Sequence, residues 1–168
     1  KCADTQVRST KSGHLTRGDN FSPFKDSFEA KQNFYTIFES APIGILITDK
    51  EMRPLHTNRS FEKLLGYTTE EFRQMFFTDF THPDDIHNSK TLFQSLLNKK
   101  RMRYNHRKRY ICKNGSTIWA NVAVSLVSDS IGQPLYTIAM VEDITEQKNV
   151  LDNLKQSEEK YRNVVENA

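Results

Sequence analysis

The fold is decided by the stretch Tyr104-Asn-His-Arg-Lys-Arg-Tyr-Ile-Cys112, Lys113-Asn-Gly-Ser116, Thr117-Ile-Trp-Ala-Asn-Val-Ala-Val-Ser-Leu126. Its centre, Asn114-Gly115, is the strongest short signal for a β-hairpin, because both central residues of the preferred turn need positive φ. From Ile118 to Leu126 every second residue is apolar, a spacing that places these side chains on one face of a strand. The stretch therefore predicts two antiparallel strands joined by a tight turn.

Three other segments have the apolar pattern of strands: residues 44–49, 54–58 and 135–144. The first two precede the hairpin, and the third follows it after a turn marked by Gly132 and Pro134. Since the helical segments are grouped between the strands and do not alternate with them, the order predicts an α+β fold rather than parallel βαβ units.

The middle of the chain contains three helix starts. Asn58 can cap a short helix that ends at Gly66. Thr68-Thr-Glu-Glu71 is a capping box, in which hydroxyl and carboxylate satisfy each other's free amides. His82-Pro-Asp-Asp85 begins a longer helix, with Pro in the first helical position and two carboxylates near the positive end of the helix dipole.

Composition restricts the classes of protein. Of the 168 residues, 36% are hydrophobic and 27% charged, which is typical of one globular domain with polar ends. A net charge of +3 does not indicate nucleic acid by itself. Cys2 and Cys112 form neither a disulfide framework nor a metal set, and no apolar run reaches the roughly 18 residues of a membrane span. These features predict a cytoplasmic location without membrane contact by this part of the protein.

Several of these segments together resemble the PAS family of sensory domains. They are Gly44-Ile-Leu-Ile-Thr-Asp49, Asn58-Arg-Ser-Phe-Glu-Lys-Leu-Leu-Gly-Tyr67, His82-Pro-Asp-Asp85, Lys113-Asn-Gly-Ser116 and Asp143-Ile-Thr145. The resemblance covers about residues 34–148, and its five pieces occur in the family's order. Arg59 departs from it, since the family often has Pro after the Asn.

The resemblance implies a five-stranded antiparallel sheet with helices over one face, an internal pocket between them, and flanking helices that carry a signal to an effector. We divide the chain accordingly into a disordered or loosely docked tail (residues 1–23), a flanking helix (24–41), the PAS core (42–148) and a linker helix (149–168). Phe34-Tyr-Thr-Ile-Phe-Glu-Ser-Ala41 and Tyr161-Arg-Asn-Val-Val-Glu-Asn-Ala168 share positions in register, so we expect the linker to run into a second PAS repeat.

The leading functional hypothesis is a sensory or regulatory module of a multi-domain signalling protein, with a sensor histidine kinase as the effector. A diguanylate cyclase effector and a ligand-free interaction and dimerisation domain are the alternatives. No phosphate loop, nucleophile–base motif or metal-ligand spacing is present in the sequence, so we expect no catalysis and no metal site here. The basic run from Lys99 to Arg109 can be read as a nucleic-acid surface, but a solvent-facing strand side is the simpler interpretation.

The ligand and the signalling joint have candidate residues. The resemblance places a pocket between the central helices and the sheet, and its candidate lining residues are Phe61, Phe76, Phe80, Tyr104 and Tyr110. No cofactor is expected. Some PAS domains hold haem through a His at the place of His87, and the flavin photoadduct needs a Cys that Phe76-Phe-Thr-Asp-Phe80 lacks.

Signal transmission is assigned to Asp143, Ile144 and Thr145, between the last strand and the final helix. We expect the hydroxyl of Thr145 to cap that helix and Ile144 to anchor the joint in the core. Leu151, Leu154, Tyr161 and Val165, interrupted by Gln147 and Glu158, form a half-polar heptad pattern in it. This pattern predicts a homodimer through a weak parallel coiled coil.

A set of apolar residues on the predicted strands and helices is expected to form the core. Its members are Ile45, Ile47, Leu64, Leu65, Phe93, Leu97, Val122, Val124, Ile138 and Met140.

Overall fold

The computed structural model describes residues 27–167 of the chain. These residues fall into two units, which divide between Phe34 and Tyr35. The predicted tail, residues 1–23, lies outside the described residues. Helix α1, Ser27–Ser40, corresponds to the predicted flanking helix; it begins in the first unit and ends in the second. In the described part of the chain, no helix has both the length and the apolar character needed to cross a bilayer.

The second unit contains five strands and four further helices in the predicted order. The strands are β1 (Gly44–Thr48), β2 (Pro54–Thr57), β3 (Arg103–Ile111), β4 (Thr117–Ser128) and β5 (Pro134–Asp143). The helices are α2 (Arg59–Leu65), α3 (Thr69–Phe72), α4 (Pro83–Leu97) and α5 (Thr145–Glu166). The strands form one antiparallel sheet in the order β2-β1-β5-β4-β3, so the predicted five-stranded α+β architecture is confirmed.

Asn58 joins three elements through its side chain, which is fully buried. Its Oδ1 accepts hydrogen bonds from the backbone N–H of Ile45 (2.8 Å) and from that of Phe61 (3.0 Å), the second of which caps α2 as predicted. Its Nδ2 donates to the carbonyls of Phe38 (2.9 Å) and Ile43 (3.0 Å). The end of α1, the start of β1 and the start of α2 are therefore held at one point.

Gly44 allows α2 to approach β1 closely. A Cβ at this position would lie 3.0 Å from Cδ2 of Phe61, which is tighter than nine in ten real Cβ contacts. Phe61 is fully buried, so it has no room to give way. The tight packing of Phe61 therefore favours glycine at this contact between the helix and the sheet.

The hairpin between β3 and β4 forms as predicted, but its turn differs from a two-residue turn. Gly115 has φ +85°, whereas Asn114 does not have positive φ. The N–H of Gly115 donates to the carbonyl of Cys112 (2.9 Å), and the N–H of Cys112 donates to the carbonyl of Ser116 (2.8 Å). These hydrogen bonds define a loop longer than two residues, in which Gly115 alone has the left-handed conformation that closes the turn.

Half of the predicted core residues are buried, namely Ile47, Leu65, Phe93, Val122 and Val124. Leu64 and Leu97 are partly buried and pack against the core.

The prediction was wrong at Met140, which is 49% exposed, and Ile45 and Ile138 are only half-buried. On β5 the buried face consists of Thr137, Ala139 and Val141 instead. Successive side chains of a strand point to opposite faces of the sheet. The prediction assigned the inward positions of β5 one residue away from the true ones, and it therefore chose the wrong face of that strand.

We predict that Leu65→Ala destabilises the domain by about 2–5 kcal/mol, because a fully buried leucine leaves a cavity when truncated. The measurement is the free energy of unfolding from urea denaturation followed by circular dichroism. Leu135→Ala, at a position that is 47% exposed, is the control and should change the value by about 0.5 kcal/mol or less. Equal effects of the two substitutions would contradict the described packing of α2.

Candidate functional site

A small cavity lies between the inner face of the sheet and the helical side of the domain. Its volume is about 30 Å³. Its walls are formed by Leu46, Thr48, Phe77, Phe93, Tyr104, His106, Lys108, Tyr110, Val122, Val124, Thr137 and Ala139. A volume of this size holds about two water molecules, so the cavity suits a very small ligand and not a large cofactor.

The polar wall of the cavity comes mainly from β3. Tyr104, His106, Lys108 and Tyr110 alternate along the strand, so all four side chains lie on its inner face. Tyr104 and His106 are half-buried, whereas Lys108 is 5% exposed and Tyr110 is 1% exposed. Burial thus increases along the strand, and the outer end of the cavity lies beside Tyr104 and His106.

Burial shifts the pKa values of the ionisable side chains in this wall. It lowers the pKa of Lys108 to about 7 and raises the pKa of Tyr104 to about 12, because each charged form is poorly solvated there. Burial raises the pKa of Tyr110 as well. The pKa of His106 is lowered, first by burial and then by the nearby charge of Lys108. At neutral pH the two phenols and the imidazole in this wall are therefore uncharged, and the Lys108 amine is near the midpoint of its titration.

The structure brings two of the five predicted lining residues to this cavity, Tyr104 and Tyr110. Phe61 and Phe80 lie behind Tyr110, with ring centroids 6.2 and 5.8 Å from its ring. Phe76 lies under the guanidinium of Arg53, whose Cζ is 4.3 Å from its ring centroid. Phe61 and Phe80 therefore belong to a packed aromatic cluster, and Phe76 is not among the cavity-lining residues.

Lys108 was missed by sequence reasoning, which read the basic run as a solvent-facing strand side. Within that run, Lys108 is buried and Arg109 is engaged by two carboxylates. The alternation of Lys108 with Tyr104 and Tyr110 is the signal that identifies its inward direction.

His87, the candidate haem ligand, is an exposed residue of α4 and does not line the cavity. Among the described residues, no group of three or more His, Cys, Asp or Glu side chains is arranged to hold a metal ion.

The joint between β5 and α5 is held to β4 by hydrogen bonds. Trp119 donates its N–H to Oγ1 of Thr145 (2.9 Å), and Ile144 donates its N–H to the carbonyl of Trp119 (2.9 Å). Asp143 accepts the N–H of Thr145 at Oδ1 (2.9 Å). Lys148, one turn into α5, lies with its Nζ 4.6 Å from the ring centroid of Trp119.

This geometry corrects two expectations for the joint. The hydroxyl of Thr145 does not cap α5, because it accepts a hydrogen bond from the backbone N–H of Trp119 instead. Ile144 is half-buried and lines a surface groove with Trp119 and Leu151, so it is not a core residue. The joint is therefore anchored by backbone pairing to β4 more than by apolar burial.

Arg109 connects α4 to this joint. Its Nε donates to Oδ2 of Asp85 (3.0 Å), and its Nη2 donates to Oδ1 of Asp85 (3.0 Å) and Oδ2 of Asp84 (3.1 Å). Its Cζ lies 5.3 Å from the ring centroid of Trp119. A chain of contacts thus runs from the start of α4 through β3 and β4 to the start of α5.

Helix α5 presents unpaired apolar side chains. Val150, Leu151, Leu154, Tyr161, Val164 and Val165 are between 49% and 72% exposed. Exposed apolar residues in such number on one helix are typical of a surface that a partner covers.

The chain belongs to the PAS-fold family. A family model described as the PAS fold matches residues 54–141, just over half of the chain. Among solved structures, the PAS domain of a protein from Colwellia psychrerythraea superposes with a TM-score of 0.63 at 19% identity, covering 70% of this chain and 98% of that domain.

Two curated relatives are signalling proteins. The chain is 34% identical over 132 residues to the sensor histidine kinase TmoS of Ectopseudomonas mendocina, covering 79% of this chain and 14% of the kinase. It is 37% identical over 120 residues to the probable diguanylate cyclase DgcE of Escherichia coli K12, covering 71% of this chain and 11% of the cyclase. The chain therefore spans a small part of each relative. A PAS domain is a non-catalytic sensory module, and the effector domains of these relatives lie outside the matched part.

We predict that the ion pair between Asp85 and Arg109 contributes to stability in a pH-dependent way. The Arg109 guanidinium holds the pKa of Asp85 below its usual value, so the contribution is complete above about pH 4 and is lost as the pH falls through the folded-state pKa. Asp85→Asn should cost about 1–3 kcal/mol at pH 7 and should flatten the loss of stability below pH 4.

The measurement is the free energy of unfolding from urea melts at a series of pH values between 2 and 7. Asp152→Asn, at an exposed position of α5, is the matched control and should follow the unsubstituted protein. If Asp85→Asn also follows the unsubstituted protein throughout, the ion pair does not stabilise the domain.

Proposed function

We propose that this chain is the sensory or regulatory PAS module of a multi-domain signal-transduction protein, and that it passes a change in its cavity to an effector through α5. The observation that carries the proposal is the chain of contacts from α4 through Arg109 and Trp119 to Thr145. Similarity to parts of a sensor histidine kinase and a diguanylate cyclase supports a kinase effector, with a cyclase as the alternative. We place the module in the cytoplasm, in keeping with the free thiol of Cys112.

The proposed mechanism uses the two faces of β3. Lys108 and Tyr110 line the cavity on the inner face, and Arg109, between them, contacts Asp85 and Trp119 on the other. A ligand that displaces the inner side chains therefore moves the strand that carries Arg109. Because β3 pairs with β4 along nine residue pairs from Arg103–Ser125 to Ile111–Thr117, such a displacement reaches Trp119 directly.

The connection from the sheet to α5 is stiff enough to transmit this displacement. Residues 144–156 contain no glycine or serine, and α5 begins directly after β5. Since a helix rises about 1.5 Å per residue, the 22 residues of α5 extend about 33 Å as one rod. A small tilt at the joint becomes a larger movement at its far end. The likeness of residues 161–168 to residues 34–41 supports the further proposal that a second PAS repeat follows α5.

A second candidate function is a ligand-free interaction and dimerisation domain. The small volume of the cavity and the exposed apolar residues of α5 favour it. Native mass spectrometry of the purified chain separates the two functions, because a sensor with a resident ligand shows the added mass and a pure spacer does not.

We predict that Asp143→Ala leaves the domain folded but uncouples the effector from its stimulus. Loss of the carboxylate removes the acceptor for the N–H of Thr145, at a local cost of about 0.5–2 kcal/mol, and loosens the start of α5. The measurement is effector activity of the intact protein with and without stimulus, together with a melting curve. Glu142→Ala, at the neighbouring exposed carboxylate, should keep normal regulation. Normal regulation in a folded Asp143→Ala protein would rule out this mechanism.

We also predict that the chain forms a homodimer through α5, with Leu151, Leu154, Tyr161 and Val165 in the seam. Leu154→Glu should place a charge in that seam and shift the protein towards monomer by about tenfold or more in dissociation constant. The measurement is sedimentation equilibrium over a range of concentrations. Gln156→Glu adds the same charge on the opposite side of the helix and should leave the dissociation constant unchanged. A monomeric unsubstituted chain at all concentrations would refute the dimer.

A further inference from the structure

Lys108 is a buried amine in a position where the rest of the sheet's inner face is largely apolar. Its side chain is 5% exposed and lies opposite Ala120, which is fully buried. Ammonium groups are rarely buried unless an anion or a carboxylate accompanies them, because the charged form loses its hydration. In its charged form, Lys108 therefore needs a polar or anionic partner.

Among residues 27–167, the Lys108 amine has one hydrogen-bond acceptor. Nζ donates to Oγ1 of Thr81 (3.1 Å), and that hydroxyl in turn donates to the carbonyl of Phe77 (2.8 Å). The rings of Phe77 and Tyr110 lie with their centroids 5.0 and 4.6 Å from Nζ. An ammonium has three N–H donors, so this environment leaves room for an anionic acceptor.

Across residues 27–167, no carboxylate lies within salt-bridge distance of the Lys108 amine. The negative charge of Asp85 raises the pKa of the Lys108 amine. Both oxygens of this carboxylate, which could balance Lys108, are however already bonded to Arg109.

The cavity beside Lys108 has the size and the polarity for a small anion. Its volume of about 30 Å³ corresponds to about two water molecules. Thr48 and Thr137 contribute hydroxyl-bearing side chains to its walls, and Tyr104 and His106 contribute a phenol and an imidazole. Hydroxyl and ring N–H donors can share a carboxylate with an ammonium.

We propose that this cavity binds a small monocarboxylate of about the size of formate, and that Lys108 is the residue that recognises its charge. The inference rests on the proposed sensory function and names the class of ligand that the module detects. The apolar remainder of the wall, including Val122, Val124 and Ala139, limits the ligand to one charged group with a very short apolar part.

The binding should depend on pH through Lys108. Burial lowers the pKa of its amine to about 7, and a bound carboxylate raises it again by stabilising the ammonium. Affinity should therefore be greatest below pH 7 and should fall by about tenfold per unit above it, until the pKa of the complex is reached. Tyr104 and Tyr110 stay neutral over this range because burial raises their pKa, the lowered pKa of His106 keeps its imidazole neutral at pH 7 and above, and Asp85 stays paired with Arg109.

The test is a titration of the 168-residue chain with formate, followed by amide chemical shifts and calorimetry in a chloride-free buffer at pH 6.5. Formamide, which has the same size but no charge, is the matched ligand control. We expect saturable binding of formate with shifts centred on β3, and binding of formamide weaker by about tenfold or more. Equal binding of both probes, or no saturable binding of formate, overturns the proposal.

Two variants complete the test. Lys108→Met keeps the length and the apolar stem and should remain folded, and it should weaken formate binding by about tenfold or more and remove its pH dependence. Lys155→Met, at an exposed position on α5, should bind as the unsubstituted chain does. Formate binding that is unaltered by Lys108→Met also overturns the proposal. If Lys108→Met is unfolded, the pH dependence of formate binding to the unsubstituted chain decides, since affinity that is constant from pH 6 to 9 excludes Lys108.

Effector activity of the intact protein separates this inference from the proposed function. Formate binding that leaves the effector unchanged supports the carboxylate site and contradicts the sensory function. An effector that responds normally to its stimulus while the chain binds no carboxylate supports the sensory function and contradicts the site.

Discussion

The rest of the structure depends on the four hydrogen bonds of the Asn58 side chain. Its amide oxygen accepts from Ile45 and Phe61, and its amide nitrogen donates to Phe38 and Ile43. These partners lie at the end of α1, at the start of β1 and in α2, and the Asn58 side chain that joins them is fully buried. Any smaller or charged replacement leaves buried backbone groups unpaired, at a cost of about 1–3 kcal/mol each. Asn58 therefore fixes the position of α2 relative to β1. Because Phe61 lies on α2, Asn58 also fixes the position of the packed aromatic cluster behind the cavity.

Local signals in the sequence were sufficient for the element order but not for every strand face. The caps at Asn58 and Thr68 and the hairpin at Gly115 depend on residues within a few positions of one another, and all three form. In β5 the sequence is apolar on both faces, so alternation does not show whether Met140 points inward, and the prediction chose the wrong face. Orientation there is set by pairing with β1 and β4, which is non-local information.

The candidate functional residues show the same contrast between what local sequence predicts and what depends on distant parts of the chain. The inward direction of Lys108 is implied by its alternation with two tyrosines, but its surroundings depend on Thr81 and Phe77, which are far from it in sequence. The hydroxyl of Thr145 has two competing uses, a helix cap and a bond across to Trp119, and only the placement of β4 decides between them. Sequence therefore identifies the residues of the joint, whereas the partners that give them their roles come from the sheet.

The proposed signalling mechanism depends on two neighbouring basic side chains of the edge strand β3. Lys108 and Arg109 are neighbours on β3 and point to opposite faces, the first to the cavity and the second to Asp85 and Trp119. A ligand shifts an equilibrium only by its differential affinity for the two states, so a cavity of this size needs a strong interaction to matter. In the proposed site the buried Lys108 ammonium would supply such an interaction, since electrostatic attraction is much stronger in a poorly solvated site than in water. In the proposed mechanism, the Asp85 carboxylate holds Arg109 through two hydrogen bonds to its guanidinium, and movement of β3 is passed to Trp119 and the start of α5.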